Sequence, residues 1–404
     1  MPLRWTSFFS LIALLAFMTP TAPTVAADSR AASRPSAGNA RFLVWNDRGA
    51  QGRRYGFIDA RGILRIPCEL ADAYEFQSGV ARVRDHGRWK FINEQGTVVC
   101  ELSPGVPFCG DFSEGMAFAN LGGRFNVDTV VGGKWGFINI RGKFIAPPRF
   151  AGYDFPVRSF REGLAAVKID GKWGFVDQHS QAVIPARYDD VAGFSDNRAA
   201  VRLGKWGFIS SGGEMVVPAK YDDVQSFSAG FAAVRSGDHA AFIDKSGAER
   251  FSVADWDDWS QFSEGLAAVR LAAAGPVPPD ARCDECSGLI GGFLYGDACP
   301  HCGKRITGTR ACYIDEAGKP QIETPFAELR PFADGLAAVK TAGPSARWGF
   351  IDRKGKLVIA PKFHDVRGGF RDGLCQVSMK KDQEEQYDTY IDRSGRIVWQ
   401  APAN

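Results

Sequence analysis

The chain has 404 residues, of which 45% are hydrophobic and 24% are charged, a composition typical of soluble proteins. Its 49 basic and 46 acidic side chains leave a formal net charge of only +3. Such a small charge does not indicate binding to nucleic acid or to an anionic lipid surface.

The first residues have the features of a secretory signal peptide. Arg4 supplies a positive charge, residues 8–18 form a short apolar run, and residues 25–27 are the small side chains that precede a cleavage site. We therefore predict a signal peptide over residues 1–27, with an uncleaved anchor as the alternative. The mature chain is predicted to be exported to the periplasm or the extracellular space, with no integral membrane span. Residues 28–40, rich in Ala, Ser, Arg and Pro, are predicted to be a flexible leader.

After the leader, one six-residue pattern recurs about every 35 residues. In its plainest form it reads Lys/Arg-Trp-Gly-Phe-Ile-Asp, and we call it the hexad. The clearest copies begin at Lys134, Lys172, Lys205 and Arg347, and looser copies begin at Arg54 and Arg88. Three further copies match only the last four positions of the hexad, which begin at Ala241, Cys312 and Thr389. Strand alternation places Trp173 and Phe175 on one face and Gly174 and Val176 on the other. Both faces are partly apolar, so we expect this strand to be covered on both sides.

Two further signals accompany each hexad. Before it, a turn leads into an apolar strand, as in Phe-Arg-Glu-Gly-Leu-Ala-Ala-Val at residues 160–167. The Gly of this turn is predicted to have a positive φ, and Asn197 at the equivalent position favours that prediction. After the hexad, a shorter strand such as residues 182–185 ends in Pro, and a polar connection such as residues 188–191 leads to the next unit.

The fixed order of these signals predicts an all-β protein of about nine units, each made of three short antiparallel strands. The array is predicted to span residues 41–400. Propellers commonly split one blade between the chain ends and use four strands in each of about four to eight blades. The units here begin and end in phase, so an open solenoid or superhelix is the preferred prediction and a closed β-propeller is the alternative.

The hexad, the Phe-x-Glu-Gly-Leu-Ala-Ala-Val strand and the Ile-Pro-x-x-Tyr-Asp-Asp connection together resemble the WG-repeat family of bacterial proteins. The resemblance covers nearly all of residues 41–399 and implies a non-enzymatic interaction scaffold. The sequence departs from the family pattern where Ala240, Ala311 and Asp388 replace the Trp. These departures leave open whether the Trp has a structural or a binding role.

The hairpins between the Ala-Ala-Val strand and the hexad differ in length. The shortest covers residues 202–204, and longer ones cover residues 120–133, 341–346 and 379–386. The longest lies between Val269 and Cys312, and a further extension at residues 151–157 has no evident purpose. Insertions in repeat proteins tend to fall on one face, often the binding face, so the hairpin edge is the predicted working edge.

The longest hairpin contains two Cys-x-x-Cys pairs, Cys283 with Cys286 and Cys299 with Cys302. This spacing lets four thiolates bind one tetrahedral Zn²⁺. The insertion at residues 274–308 is similar to a zinc ribbon, and we predict a structural Zn²⁺ because four Cys ligands leave no open coordination position. Two disulfides are the alternative for an exported chain, and a redox-active dithiol is a third interpretation.

The other five cysteines are scattered. Cys312 and Cys375 occupy Gly and Ala positions of the repeat and are predicted to be small core residues. Cys68, Cys100 and Cys109 could contribute one bridge, and Cys100 and Cys109 are the nearest pair in sequence.

The candidate ligand-binding residues are the hexad tryptophans, whose indoles could stack on sugars. The favoured alternative is that they pack between units, because large aromatic side chains bury much area in repeat stacks. These residues are Trp135, Trp173, Trp206 and Trp348.

The charged positions of the hexad also have two interpretations. The basic residues that open the hexads could bind an anionic polymer, but acidic residues close many of the same strands, which favours a mutually neutralising surface. The Asp-Asp pairs at 189–190, 222–223 and 257–258 could bind Ca²⁺, although turn and capping roles are the simpler explanation.

Catalysis finds little support in the sequence. The five His residues show no metalloprotease spacing, and there is no P-loop, dinucleotide fingerprint or Gly-x-Ser-x-Gly elbow. We therefore predict an exported non-enzymatic scaffold that binds a protein partner in the cell envelope. The alternative is a carbohydrate or cell-wall glycan binder that uses the hexad tryptophans.

Overall fold

The computed structural model describes residues 40–47, 52–126, 129–152, 155–253, 260–272, 299–302, 309–343, 345–381 and 385–401. In these ranges the chain forms strands and turns without an α-helix, which confirms the all-β prediction. None of this part of the chain is a helix long and apolar enough to span a lipid bilayer. The predicted signal peptide and leader lie outside the described residues, apart from Ala40, which is buried.

The described strands form nine small antiparallel sheets, which we call blades 1 to 9, and one separate two-stranded hairpin. A complete blade has four strands, named a to d in chain order, in which strand b carries the Ala-Ala-Val sequence and strand c the hexad. Blades 1 to 3 contain β1 (Phe42–Asp47), β2 (Arg53–Ile58) and β3 (Leu64–Leu70); β4 (Asp72–Ala73), β5 (Val80–Asp85), β6 (Arg88–Asn93) and β7 (Val98–Glu101); and β8 (Phe108–Cys109), β9 (Met116–Leu121) and β12 (Lys134–Asn139). The separate hairpin inside blade 3 consists of β10 (Arg124–Asn126) and β11 (Thr129–Val131).

The other six blades follow the same order. Blades 4 to 6 contain β13 (Ala165–Ile169), β14 (Lys172–Val176) and β15 (Ala182–Tyr188); β16 (Asp190–Val191), β17 (Ala199–Leu203), β18 (Lys205–Ile209) and β19 (Met215–Tyr221); and β20 (Asp223–Val224), β21 (Phe231–Ser236), β22 (His239–Asp244) and β23 (Glu249–Val253). Blades 7 to 9 contain β24 (Ala267–Ala272), β25 (Thr309–Ile314) and β26 (Pro320–Glu323); β27 (Glu328–Ala333), β28 (Leu336–Lys340), β29 (Trp348–Asp352) and β30 (Leu357–Phe363); and β31 (Asp365–Arg371), β32 (Leu374–Lys381), β33 (Glu385–Asp392) and β34 (Ile397–Gln400).

The core of the described chain consists of nine hydrophobic clusters, and each cluster joins two consecutive blades. Between blades 4 and 5, for example, Trp173 and Phe175 of one sheet pack with Phe194 and Val201 of the next. The aromatic residue at the fourth hexad position meets the Phe of the following turn at an edge-to-face angle, as in Phe175 and Phe194, whose ring centroids lie 5.0 Å apart. Both faces of the hexad strand are therefore covered, as its two partly apolar faces predict.

The ninth cluster joins the last blade to the first and closes the ring. The rings of Phe42 and Tyr390 lie 5.6 Å apart, and the Tyr390 hydroxyl donates a hydrogen bond of 3.1 Å to the carbonyl of Leu43. Arg371 of blade 9 donates to the carboxylate of Glu75 in blade 2 at 2.8 Å.

The preferred prediction of an open solenoid is therefore wrong, and the alternative, a closed β-propeller, is correct. No strand in the described chain is exchanged between the first and last blades, so units that begin and end in phase are compatible with closure. Side-chain packing and an ion pair supply the closing contact in place of a shared blade.

The number of strands per unit differs in part from the prediction. Four sheets have the predicted three strands, but five have four. The extra strand lies in the connection that the sequence indicates as polar: in blade 5, Asp190–Val191 forms β16 and pairs with Arg202 and Val201. In blades 2, 5 and 6 this strand has only two residues, too few to give a periodic signal in the sequence, whereas in blades 8 and 9 it has six and seven.

The hexad Gly is required where strand d bulges. A Cβ on Gly174 would lie 2.5 Å from the carbonyl oxygen of Ile184. The bulge lies between the Trp173–Tyr188 and Phe175–Ile184 pairs of that blade. In blade 6, where Ala241 replaces the Gly, strand d pairs residue by residue at this point. The Gly and the Pro-containing strand d are thus two parts of one local structure.

Antiparallel strands place the connections of every blade on two opposite faces of the ring. One face carries the a–b turns, such as residues 161–163, and the c–d turns, such as residues 177–180; we call it the turn face. The other carries the b–c hairpins, such as residues 169–172, and the d–a connections between blades; we call it the hairpin face.

The a–b turns are hydrogen-bonded from blade to blade. Gly163 has a φ of 80° and Asn197 one of 59°, which confirms the prediction for this position. The preceding residue is also left-handed, as at Glu162 with a φ of 52°, so the turn has the two positive φ values of type I′. A left-handed non-Gly residue costs about 1 kcal/mol. That cost is offset because the Glu114 carboxylate accepts hydrogen bonds of 2.6 and 2.8 Å from the N–H groups of Glu162 and Gly163 in the next blade.

The same bond recurs around the turn face. In each case a backbone N–H of one turn donates to a carboxylate of the preceding turn. The further pairs are Asn197 with Glu162, Gly230 with Asp196, Gly335 with Glu264 and Gly373 with Asp334.

The c–d turns are stabilised within each blade by the residue that closes the hexad. The Asp244 carboxylate accepts hydrogen bonds from the backbone N–H groups of Ser246 at 2.8 Å and Ala248 at 3.1 Å. Hydrogen bonds from the Ser246 hydroxyl, from these two N–H groups and from Arg250 lower the pKa of Asp244 to about 2, against the effect of burial. Equivalent capping bonds are made by Asp59, Asn93, Asn139, Asp177, Asp315, Asp352 and Asp392.

The closing contact can be tested with Tyr390→Phe, which removes the hydroxyl bonded to Leu43. We expect a loss of about 1 kcal/mol in unfolding free energy, together with faster amide hydrogen exchange in blades 1 and 9. Tyr313→Phe is the matched control, because Tyr313 holds the same hexad position and donates to the carbonyl of Arg330 at 2.8 Å inside the ring. If both variants change exchange equally at the chain ends, closure does not depend on Tyr390.

The capping role of Asp244 predicts a specific acid sensitivity. The pKa of Asp244 is lowered from 3.8 to about 2 in the folded protein. The stability that its ionised carboxylate contributes is therefore fully present above about pH 4 and is lost as the pH falls through about 2. The Asn side chain of Asp244→Asn keeps an acceptor oxygen, but it does not become protonated in this pH interval. We expect the variant to lose less stability than the unmodified protein across this interval in urea denaturation. Asn93→Asp, the reciprocal change in blade 2, should add acid sensitivity, and parallel pH profiles for all three proteins would contradict the prediction.

Candidate functional site on the hairpin face

The two faces of the ring differ in how much their connections vary. The regular b–c hairpin of blade 4 is the two-residue type I′ turn Asp170-Gly171, with φ values of 49° and 82°. Blade 3 inserts the β10–β11 hairpin at this place, and in blade 9 the β32–β33 pair extends as far as Lys381 and Glu385. In blade 7 the same hairpin spans residues 273–308, of which 299–302 are described. All these insertions lie on the hairpin face.

Regular blades neutralise the charges of this face in a repeated way. Lys172, which opens its hexad, donates to Asp189 at 2.6 Å, and the same carboxylate accepts from the N–H of Gly204 in the next blade at 2.8 Å. These two bonds lower the pKa of Asp189. Lys205, Asp222 and Gly237 repeat the arrangement.

These bonds confirm the turn and capping role predicted for the Asp-Asp pairs at 189–190 and 222–223. The pair at 257–258 lies outside the described residues. The opening lysines of blades 4 and 5 are neutralised by Asp189 and Asp222 of the d–a connections. The residues that close these hexads, Asp177 and Ser210, cap the c–d turns on the other face, so they are not the partners that the charge pattern of the hexad indicates.

Blade 3 is an exception to this neutralisation. Its opening residue, Lys134, is exposed. Phe150 pairs with Trp135 in this blade, as Tyr188 pairs with Trp173 in blade 4. The residue after Phe150, Ala151, therefore occupies the position that Asp189 has in blade 4. Within the described ranges no acidic group lies within ion-pair distance of Lys134. Among the described residues of blade 3, Lys134 thus lacks the acidic partner that the equivalent lysine has in blades 4 and 5.

The four candidate tryptophans lie in four different blades and do not form one common surface. Trp135, Trp173 and Trp348 are buried at 1%, 6% and 2% exposure, and Trp206 is half-buried. A basic residue directly opposite on strand b covers the indole in three of the blades: Lys168 over Trp173, Arg202 over Trp206 and Lys340 over Trp348. Little indole surface faces solvent, and the carbohydrate-binding hypothesis stays a prediction.

The units that lack the Trp show what this position contributes. In blade 9, Asp388 replaces it, and the opposite strand-b residue is Ser378 rather than Lys or Arg. Ser378 donates to Asp388 at 2.6 Å, and Arg367 pairs with the same carboxylate at 3.1 Å. In blade 9 a polar pair thus replaces the aromatic–cation pair. In blades 6 and 7 the replacements Ala240 and Ala311 lie opposite Arg235 and Arg270, so this position is not restricted to either kind of pair.

An aromatic cluster distinguishes blade 3 from the regular blades. Phe125 of β10 stacks on Phe108 at 5.6 Å with an 8° angle between the rings. Phe155, from the extension at residues 151–157, lies 5.2 Å from Phe108 and 5.3 Å from Trp135. Phe118 completes the group. The extension that has no evident purpose in the sequence thus packs an aromatic ring beneath the inserted hairpin.

Part of this cluster faces solvent. Phe125 is 42% exposed. Val131, which is 41% exposed, lies opposite Arg124 on the other face of the hairpin. Arg82 of blade 2 connects the cluster to a further exposed ring, since its guanidinium lies 3.8 Å from the Tyr74 ring and 5.2 Å from that of Phe108. Arg82 itself is neutralised by Asp111 at 3.0 Å. We call this set, with Lys134 and Arg124, the blade 3 patch.

The predicted zinc ligands are only partly described. Cys283 and Cys286 lie outside the described residues, whereas Cys299 is buried and Cys302 is exposed. Among the residues that the structure describes, no three His, Cys, Asp or Glu side chains are grouped as around a metal ion. The Zn²⁺ and disulfide interpretations of residues 274–308 both stay predictions.

The cysteines of the repeats behave as core residues. Cys312 and Cys375 are fully buried in the clusters of blades 6 to 7 and 8 to 9, as predicted, and burial raises the pKa of the Cys375 thiol to about 12. Cys100 and Cys109 share one cluster between blades 2 and 3 as two thiols, so the structure contains no bridge between them.

Comparison with solved structures shows the fold. A structure described as a eukaryotic initiation factor aligns over 90% of this chain and 97% of its own, with a TM-score of 0.57 and 10% sequence identity. Dipeptidyl peptidase 4 of Porphyromonas gingivalis aligns over 81% of this chain and 59% of its own, with a TM-score of 0.51 and 9% identity. At such identities the likeness concerns the fold alone. No curated protein sequence matches the chain.

Comparison with family models identifies the repeats. The WG containing repeat matches five segments, residues 55–89, 135–173, 173–205, 206–238 and 348–381. These segments fall in blades 1 to 6, 8 and 9. Five segments of the chain are therefore similar to the WG containing repeat, and the described residues form a nine-bladed β-propeller.

Proposed function

We propose that the protein is a non-enzymatic scaffold that binds a protein partner through the hairpin face of its propeller. The observation that carries this proposal is the contrast between the two faces. Every large change in connection length falls on the hairpin face, and insertions in repeat proteins tend to collect on the binding face. A rigid propeller that presents variable loops is well suited to hold another protein.

The turn face is poorly suited to the same task. Its a–b turns use their N–H groups and carboxylates to bind one another, as Glu114 does with Glu162 and Gly163. Its c–d turns are capped internally, as by Asp244. Few polar groups of these turns are left for a partner, whereas the hairpin face offers exposed apolar and charged side chains in blade 3.

We also propose that the protein acts outside the cytoplasm, in the cell envelope. The support is the sequence alone: Arg4, the apolar run at residues 8–18 and the small residues 25–27 that precede Asp28. The non-enzymatic part of the proposal rests on the sequence too, which has none of the common catalytic motifs.

Affinity purification from separated cell fractions tests both parts. We expect a tagged protein to be recovered from the periplasm or the medium, with an N-terminus near Asp28, together with a defined protein partner. The hairpin face can be separated from the turn face with two variants: a deletion of residues 274–308, and Glu316→Lys in the c–d turn of the same blade. The deletion should reduce recovery of the partner, and Glu316→Lys should not.

If the protein that lacks residues 274–308 still binds the partner and the Glu316→Lys protein does not, binding takes place on the turn face and the proposal is contradicted. Recovery of the protein only from the cytoplasm, with the N-terminus intact, would contradict the export part alone. Both variants must keep the thermal unfolding transition of the propeller for the comparison to hold.

We further propose that residues 274–308 bind one structural Zn²⁺ through Cys283, Cys286, Cys299 and Cys302. A short insertion rich in Gly has little core of its own, and metal binding would supply the energy to fold it. Purified protein should contain about one zinc per chain, the stoichiometry of a four-Cys site. Cys283→Ser should abolish it, while Cys375→Ser, in the core of blade 9, should leave it unchanged. Zinc-free protein with four fewer titratable thiols would instead favour two disulfides.

A further inference from the structure

We propose that the rim of the turn face in blades 8, 9, 1 and 2 binds the surface of a lipid bilayer that contains anionic lipids. This inference goes beyond the proposed scaffold function, because it concerns the face opposite the variable hairpins and does not depend on the protein partner. Two observations carry it: exposed apolar side chains recur at one repeat position of these consecutive blades, and the c–d turns of three of them are basic. We call this surface the rim strip, and it consists of residues 352–358, 392–398, 59–65 and 93–99.

The apolar part of the rim strip lies where strand d begins. In its four blades the first strand-d residue is a large apolar side chain that is 42 to 51% exposed: Leu357, Ile397, Leu64 and Val98. Ile63, Val99 and Val358 beside them are similarly exposed. In the other five blades the equivalent residue is Phe144, which packs against a core cluster, or Ala182, Met215, Glu249 or Pro320. Only Met215 of these is a large exposed apolar side chain, so consecutive blades share the feature only from blade 8 to blade 2.

Packing between blades joins these positions into a row. The Gly of each of these c–d turns lies against strand d of the preceding blade: a Cβ on Gly395 would lie 2.9 Å from the side chain of Ile359. Gly62 makes the same kind of contact with Val398 of blade 9, and Gly96 with strand d of blade 1. Strand d of one blade and the c–d turn of the next therefore alternate along the rim from blade 8 to blade 2, across the contact that closes the ring.

The c–d turns of blades 8, 9 and 1 are basic. Together they contain six basic and three acidic side chains, within residues 352–356, 392–396 and 59–63. Each acid caps its own turn, as Asp352 does for the N–H of Lys354. The other six c–d turns together contain four basic and six acidic side chains, within residues 93–97, 139–143, 177–181, 210–214, 244–248 and 315–319. All nine turns lie in described ranges, and the small net charge of the whole chain hides the difference between them.

Three of these basic side chains are available to a bilayer. Arg353 and Arg396 have acidic partners in the described chain. Lys354, Lys356 and Arg61 are exposed, and no described acid lies within ion-pair distance of them. The N–H groups and carboxylates of the turn face are used by the turns themselves, but these three side chains are not.

The undescribed residues do not change this balance. In blades 8, 9 and 1 they are residues 344, 382–384 and 48–51, which connect strands b and c and so belong to the opposite face. The leader before Ala40 contains one acid and two arginines: Asp28, Arg30 and Arg34. It therefore adds no net negative charge to the turn face.

This combination fits a lipid surface better than a folded partner. The apolar side chains recur once in each blade instead of forming one pocket, and basic residues stand directly beside them, as in Lys356-Leu357 and Leu64-Arg65. At a bilayer surface such apolar side chains enter the boundary between headgroups and acyl chains, while Lys and Arg reach the anionic headgroups. Addition of a protein strand is disfavoured, because Pro361 removes an N–H donor from the outer strand β30. Binding at this rim leaves the hairpin face, with the blade 3 patch, directed away from the bilayer.

The test measures binding of the chain from Asp28 onward to lipid vesicles by sedimentation. We expect saturable binding to vesicles of phosphatidylglycerol and phosphatidylcholine. Vesicles of phosphatidylcholine alone should bind at least about tenfold more weakly, because each Lys or Arg near an anionic surface strengthens binding by about fivefold. Added salt should weaken binding to the anionic vesicles, since surface charges are screened.

Charge variants locate the basic part of the site. Lys356→Gln and Arg61→Gln should each weaken binding to anionic vesicles by about fivefold. Lys319→Gln is the matched control, because Lys319 is exposed at the same repeat position in blade 7, outside the rim strip. Arg30→Gln combined with Arg34→Gln tests the leader. Neither the control nor the leader variant should change binding.

Apolar variants locate the other part of the site. Leu64→Ser combined with Ile397→Ser should weaken binding at low and at high salt alike, because the change removes apolar contact and leaves the charges in place. Met215→Ser alters the same repeat position in blade 5 and should leave binding unchanged. Unfolding temperatures close to that of the unmodified chain verify that every variant remains folded.

Several outcomes overturn the inference. These are equal binding to uncharged vesicles, full binding by a variant that combines Lys356→Gln with Arg61→Gln, and loss of binding in the leader variant, which would assign binding to the leader. Self-association that Leu64→Ser with Ile397→Ser abolishes, without binding to any vesicle, would mean that a second copy of the chain occupies the rim strip. Capture of the protein partner is measured separately, so failure of vesicle binding leaves the proposed function intact.

Discussion

The edge-to-face contact between the aromatic ring of one hexad and the Phe ring of the next turn is the interaction on which the whole propeller depends. It recurs at eight of the nine interfaces, with ring centroids 4.4 to 5.6 Å apart. Between blades 9 and 1, Phe42 of β1 takes the place of the turn Phe and its ring lies 5.6 Å from that of Tyr390. Such a pair contributes about 0.5–1.5 kcal/mol beyond the area it buries. A single blade has no core of its own, so each blade is stable only between two neighbours. Closure gives the first and last blades a neighbour on both sides, and Phe42 contacts Tyr390 in that interface.

Most of the fold follows from this repeated contact and could be predicted from the sequence. The hexad aromatic and the residue after it are kept in every unit, and the structure places them in the interfaces, as at Phe175 and Val176. Strand order, strand c and the positive φ of Gly163 are local consequences of short motifs. Closure is not local. The contacts among Phe42, Tyr390, Arg371 and Glu75 join residues about 300 positions apart, and no motif marks them.

The candidate site was predictable in its position but not in its composition. The unequal hairpin lengths indicate the hairpin face, because antiparallel strands return every b–c connection to the same side. The aromatic cluster of blade 3, in contrast, brings together Phe108 of β8, Phe125 of the inserted hairpin and Phe155 of the extension at residues 151–157. One signal for it does exist in the sequence: Ala151 stands where the regular units have Asp189, which leaves Lys134 without its usual partner. That signal has meaning only once the strand register is known.

The uniform turn face is what permits the hairpin face to vary. Each blade is fixed by an aromatic interface on both sides and, in most of the ring, by hydrogen bonds between successive turns, such as Glu162 with Asn197. A longer b–c hairpin breaks none of these contacts. The entropy of closing a loop also grows slowly, by about 0.6 kcal/mol for each doubling of its length. The hairpin of blade 7, residues 273–308, therefore adds a small cost to a blade whose interfaces each contribute several kcal/mol by burial. Selection can change what the protein binds at that face while the contacts that close the ring stay the same.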